Sequence, residues 1–177
     1  MDPLEGRPNE QHMPGYGIYY TELSSKWTNL TAALEENKNN AIAFFTSIPA
    51  RREEYRYQPE KWSVKELILH LVETERIFQY RAFRFSRKDA TPLSGFDEDW
   101  YAQNNNASVR SLPDIIGEFE AVRNSTIQLF RGMNTDMLDF PGTANGQAVS
   151  PRSLGWMTVG HVLHHITILR ERYLDTN

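Results

Sequence analysis

The 177-residue chain contains no cysteine. That excludes a disulfide framework, a thiolate metal site and a cysteine nucleophile, so any bound metal must use nitrogen and oxygen ligands. Positive charge is not in excess either: 19 Lys and Arg stand against 23 Asp and Glu, a formal net charge of −4. A surface that tracks nucleic-acid phosphates shows a basic excess on one face, so no DNA or RNA partner is expected. The densest basic groups, Arg51-Arg52 and the spaced Arg81, Arg84, Arg87 and Lys88, read as solvated helix edges. No apolar run reaches membrane-spanning length. The first residues carry acids and prolines where a secretion signal would place basic residues and then an apolar stretch. A cytoplasmic protein with no membrane contact is therefore expected, and the sequons at Asn29, Asn106 and Asn124 carry no glycosylation meaning. A Walker A loop, a dinucleotide fingerprint, a G-x-S-x-G elbow and an HExxH motif are all missing.

What is present is the composition of an ordinary folded domain: 40% hydrophobic and 24% charged residues, at a length that suits one core. Residues 1–19 hold three prolines, three glycines and no helical stripe, which predicts a loosely ordered N-terminal arm ahead of a folded domain over 20–177. From Tyr20, the spacing of Leu23, Trp27, Leu30, Leu34, Ala41, Phe45 and Ile48 predicts a first helix, stopped by Pro49. Ser63 and Glu66 form an S-x-x-E capping box that opens a second, striped by Val64, Leu67, Leu71, Phe78, Ala82 and Phe85. Residues 88–110, with Pro92, Gly95 and a QNNN run, read as a long crossover. Within it the acid run Asp97-Glu98-Asp99 is read as solvated loop in preference to a lid. Ser111 with Pro113 opens a third helix, reaching to about Met133, and Ser150-Pro151 opens the last. No convincing strand alternation is seen. The expectation is an all-α, four-helix bundle with its crossover between the second and third helices.

Three of the five histidines fall within Gly160–Tyr173. On a helix His161 and His165 lie ~40° apart and one turn along the axis, so both rings can meet one ion. His164 points roughly 80° away, toward the more polar face, and is a candidate for positioning a proton or facing substrate. His70 lies beside the stripe of the second helix, and side chains of facing helices converge inside a bundle. Three imidazole nitrogens would leave positions open for water or substrate. The bland alternative, a hydrogen-bonded core His70 and a decorative C-terminal trio, remains open from spacing alone. Glu75 falls on the apolar stripe, where an unpaired carboxylate is costly. It needs an arginine such as Arg123 or Arg170, a ligand ring's second nitrogen, or the metal itself.

The segment YQPEKWSVKELILHLVETERIFQYR, followed by the Gly-His-x-x-His-His run, resembles the DinB-like (DinB/YfiT) superfamily of bacterial metal-binding four-helix bundles over about residues 20–174. The resemblance implies metal ligation by His70, His161 and His165, helices in up-down-down-up order, a homodimer, and one zinc, nickel or iron-type divalent ion. Similar folds include thiol S-transferases that use bacillithiol or mycothiol, a mycothiol-dependent maleylpyruvate isomerase and the metal domain of sulfoxide synthases. The chain ends soon after the fourth helix, so the extra domain of the isomerase-like relatives, and with it that activity, is not expected. The leading expectation is a metal-dependent transferase acting on a small-molecule thiol and an electrophile, with His164 or Glu75 in a supporting role. The alternatives are metal-assisted hydrolysis and a non-catalytic metal-binding stress-response protein.

Overall fold

The computed structural model describes residues 2–174. Helices α1 (Gly15–Leu23), α2 (Leu30–Thr46), α3 (Val64–Ser86), α4 (Glu98–Asn104), α5 (Leu112–Arg131), α6 (Thr135–Leu138) and α7 (Pro151–Ile168) follow one another, with strands β1 (Gly142–Ala144) and β2 (Gln147–Val149) ahead of α7. The bundle consists of α2, α3, α5 and α7. Both α2 and α3 pack chiefly against α5 and α7. No described helix is long and apolar enough to cross a membrane.

Local chemistry sets the starts of three bundle helices. Ser63 Oγ accepts from the Glu66 amide and the Glu66 carboxylate accepts from the Ser63 amide, so the capping box of α3 is complete. Ser111 and Ser150 each satisfy an orphan amide three residues on, and a proline stands in the first turn of α5 and of α7. The last helix keeps α geometry to Ile168 and continues as π-helix over Leu169–Leu174.

Three expectations fail. The first helix is two helices, because Asn29 caps the start of α2 by accepting from the Ala32 amide. Leu23 is left exposed at the break, so the apolar recurrence from Tyr20 crossed a turn. The N-terminal arm is not loose: Leu4 and Met13 are buried, the Leu30 amide donates to the Leu4 carbonyl, and Trp156 Nε1 donates to the Gly6 carbonyl at 3.1 Å. Arg152 adds bonds to the Pro3 and Glu5 carbonyls, which straps the arm across the start of α7. Finally, β1 and β2 form an antiparallel hairpin around Asn145-Gly146, both with positive φ, as a tight two-residue turn requires. Leu93 bridges to Ala144 and thereby ties the crossover to this hairpin.

The core divides in two. One apolar cluster gathers Leu30, Leu34, Phe78, Phe85, Phe130 and Trp156; the other gathers Phe45, Ile68, Leu71, Phe119, Leu169 and Tyr173. Along each bundle helix a buried polar residue separates the members of the two: Asn37 on α2, Glu75 on α3, Arg123 on α5 and His161 on α7. Glu75 and Arg123 pair through two bonds of 2.8 and 2.9 Å, and Arg123 donates a third, of 2.7 Å, to Asn37 Oδ1. This layer joins three helices with charges that water cannot reach.

Removing one member leaves the other charge buried and unpaired, at a cost of about 3–5 kcal/mol. Urea unfolding of Arg123→Met and Glu75→Leu is therefore expected to show losses of that order for each, and a loss for the double variant well below their sum. Additive losses would mean that the pair is not coupled.

Candidate metal centre

Helices α3 and α7 carry the histidines to one place. His70, two turns into α3, is 3% exposed; His161 and His165, one turn apart on α7, are 6% and 9% exposed. One ring nitrogen from each lies within 4.8 Å of those of the other two. The Nε2 atoms of His70 and His161 are 3.2 Å apart, and those of His165 and His161 are 3.1 Å apart.

Hydrogen bonding cannot satisfy both contacts. A neutral imidazole nitrogen has either one N–H or one in-plane lone pair, so His161 Nε2 can complete one such bond and not two. A cation shared by the three rings resolves this. Two nitrogens each about 2.05 Å from a tetrahedral ion stand about 3.3 Å apart, close to the spacing found. The donor set and its geometry thus fit a divalent metal.

Aromatic groups enclose the cluster. Trp62 lies with its ring 4.6 Å from that of His70, Tyr20 meets His161 edge-on at 5.3 Å, and Thr74 Oγ1 is 3.4 Å from His70 Nδ1. His165 Nδ1 is buried and, among the described residues, has no hydrogen-bond partner. Helix α1 sits tightly enough on α7 that a Cβ at Gly160 would come within 1.8 Å of the Tyr20 carbonyl oxygen. Glycine at this position lets the tyrosines of α1 roof the site.

Burial pushes the pKa of His70 down to about 4 and holds those of His161 and His165 well below the usual histidine range, with neighbouring imidazoles adding to the effect for the latter two. Near neutral pH all three rings are uncharged with lone pairs free, the form that binds metal.

His164 does not join them. It is half-buried under α1, its Nδ1 3.1 Å from the Tyr19 hydroxyl and its ring edge-on to Tyr19 and Tyr20, not on an open polar face. Glu75 is likewise elsewhere engaged: Arg123 occupies both its oxygens, and among the described residues no hydrogen bond joins it to a histidine. A supporting role for Glu75 at the metal is therefore withdrawn in favour of the buried ion pair.

Two cavities reach the cluster. One, of about 630 Å³, lies along Trp62, Leu67, Ala102, Ile168 and Tyr173 and ends at His165; the other, of about 290 Å³, is lined by Tyr16, Tyr20, Phe78 and Arg81 and ends at His161. Glu98 borders both. Asp97 caps α4 through a bond from the Trp100 amide, which turns the next residue toward the cavities. The acid run is solvent-exposed, as expected, but it starts α4 and so brings one carboxyl, that of Glu98, to the edge of both cavities. Glu98 is exposed on its solvent side; partial desolvation, with Asp99 and Asp97 alongside, raises its pKa. Only the loop's length and its run of acids hinted at this in the sequence.

The depressed imidazole pKa values carry a stability consequence. With metal removed by chelation, the folded chain keeps His70 neutral below its unfolded value of 6.5, while the unfolded chain takes up a proton. Stability contributed by the neutral ring is full above about pH 6.5 and is lost as pH falls toward about 4. Urea unfolding across this window is expected to show a steeper loss for the parent than for His70→Phe, by up to about 1.4 kcal/mol per pH unit. Equal slopes would show that His70 is protonated in the fold.

Comparison with known proteins completes the picture. The structure is similar to that of YfiT from Bacillus subtilis, a probable metal-dependent hydrolase with an unusual four-helix bundle topology, at a TM-score of 0.70 and 15% sequence identity over 94% of this chain and 91% of that one. A search of curated proteins finds no match. At 15% identity the structural likeness establishes the bundle fold and no more. The sequence model of the DinB superfamily, however, matches residues 33–169, which include the three converging histidines, and the chain belongs to that superfamily.

Proposed function

We propose that the protein is a single-metal enzyme in which His70, His161 and His165 would hold one zinc, nickel or iron-type ion, and that it joins the sulfur of a low-molecular-weight thiol to an electrophile, whose leaving group departs while the thiol proton passes to a base. The observation that carries this reading is the pair of cavities, which end at different histidines and share only Glu98 among their lining residues. Two such approaches suit a reaction between two small molecules. Three imidazole ligands suit any of these metals, and such an ion supplies the positive charge that lowers the pKa of a thiol or water placed against it.

The chain's own residues do the rest. Glu98, with its raised pKa, accepts the proton that the nucleophile gives up. Tyr20 and Trp62 exclude bulk water from the rings they cover, which strengthens every charge interaction inside. His164 acts at one remove by holding Tyr19, and so α1, over His161. Kinship with the superfamily further supports an up-down-down-up helix order and a homodimer as parts of the same proposal.

Hydrolysis is the second reading. It is favoured by the similarity to YfiT and by Glu98, which can serve water as well as a thiol.

Protein loaded with each metal in turn is expected to conjugate bacillithiol or mycothiol to a chromogenic electrophile, with turnover proportional to thiol below saturation and absent from the His161→Ala, His165→Ala variant. Ester turnover indifferent to thiol would favour hydrolysis; no turnover of either kind would leave a metal-binding protein without this chemistry. Glu98→Gln is expected to lower kcat by about 100-fold, the scale of a lost general base, with metal content unchanged by elemental analysis.

A further inference from the structure

Four lysine or arginine side chains are buried among the described residues: Lys65, Arg81, Arg123 and Arg152. Three have a carboxylate, respectively Glu54, Glu75 and Asp139 for Lys65, Arg123 and Arg152. Arg81 has none. Expected to lie on a solvated helix edge, it is instead only 5% exposed. One guanidinium nitrogen donates to the Ser94 carbonyl at 2.8 Å and the group sits 6.0 Å from the centre of the Phe96 ring. Neither contact neutralises it, and a buried guanidinium without an anion is costly.

Arg81 lines the smaller of the two cavities, together with Tyr16, Tyr20, Phe78, Asn145 and His161. Tyr16 is near enough for the charge of Arg81 to act on its phenol. The rim is preorganised, since the Leu93–Ala144 bridge pins the crossover and a Cβ on Gly95 would fall 2.5 Å from Asn145 Oδ1. We propose that this cavity is the subsite for a small molecule bearing a carboxylate, which Arg81 takes in its planar fork while the reacting end of the molecule lies toward His161.

A carboxylate suits the site better than a phosphate. The cavity has one cationic side chain, and Glu98 also lines it, so a dianion would remain under-compensated. Phenol and amide groups complete the polar contacts, and the aromatic walls accept an apolar body. The statement that this ligand is a substrate rests on the histidine cluster being the reaction centre; the binding of the carboxylate does not.

The test uses benzoate as probe, its neutral isostere benzamide, and inorganic phosphate, with the full chain both zinc-loaded and metal-free. Binding is followed through the Arg81 Nε–H signal by ¹⁵N NMR, assigned with Arg81→Lys, and by equilibrium dialysis. Benzoate is expected to shift that signal saturably in both forms, benzamide to leave it in place, and phosphate to bind at least 10-fold more weakly. Arg81→Gln is expected to weaken benzoate at least 10-fold and Arg81→Lys to recover part of the loss. If Arg81→Gln fails to fold, the parent titration alone decides. Benzoate binding that vanishes on metal removal and never moves the Arg81 signal would place the carboxylate on the metal and overturn the subsite. Phosphate binding as tight as benzoate would overturn the carboxylate assignment. Benzoate binding by metal-free protein would stand even if no thiol transfer were found, so the subsite and the proposed reaction fail separately.

Discussion

The buried pair of Arg123 and Glu75 constrains the rest of the bundle. Two opposite charges at 0% and 2% exposure tolerate almost no relative movement, because a one-turn slip of α5 along α3 displaces them by about 5.4 Å and strands both. Asn37 extends the constraint to α2. With three helices held in register by one polar contact, apolar clusters can pack above and below it without setting the axial fit themselves. His161 lies in the gap between the same two clusters on the fourth helix, so the layer that fixes register also fixes the height of the candidate metal centre.

Burial then does two jobs at the histidines. It disfavours the charged imidazolium, leaving three neutral rings with one nitrogen of each within 4.8 Å of the others. It also thins the water around whatever binds there, through the roof that α1 makes. That roof depends on Gly160, since any side chain at this position meets the backbone of Tyr20. The Gly-His-x-x-His-His run therefore holds two requirements in adjacent residues, close backbone approach and ligand spacing.

Much of this was legible in the sequence because it is local. Ser63, Ser111 and Ser150 act on amides three residues away, and their helices start where expected. The rise and turn of an α-helix put His161 beside His165, and Glu75 on an apolar stripe demanded the partner that Arg123 supplies. What was missed is non-local or too short to show a period. The arm is ordered by contacts with Trp156 and Arg152, about 150 positions away. Three-residue strands give no alternation to read, although Asn145-Gly146 is a strong hairpin signal. The burial of Arg81 and the placement of Glu98 depend on where the crossover settles, and that is decided by its bridge to the hairpin.

The same ion pair bears on the chemistry. A carboxylate bound to a metal would offset part of the ion's charge and weaken its pull on a nucleophile's proton. Arg123 holds Glu75 away from that role, so three neutral imidazoles would leave a divalent ion its full formal charge. The carboxyl that remains nearby, Glu98, stands at the cavity walls and can receive a proton without quenching the charge that releases it. In this bundle, stability and reactivity draw on one arrangement: an acid neutralised inside the core, and another kept at the edge of the site.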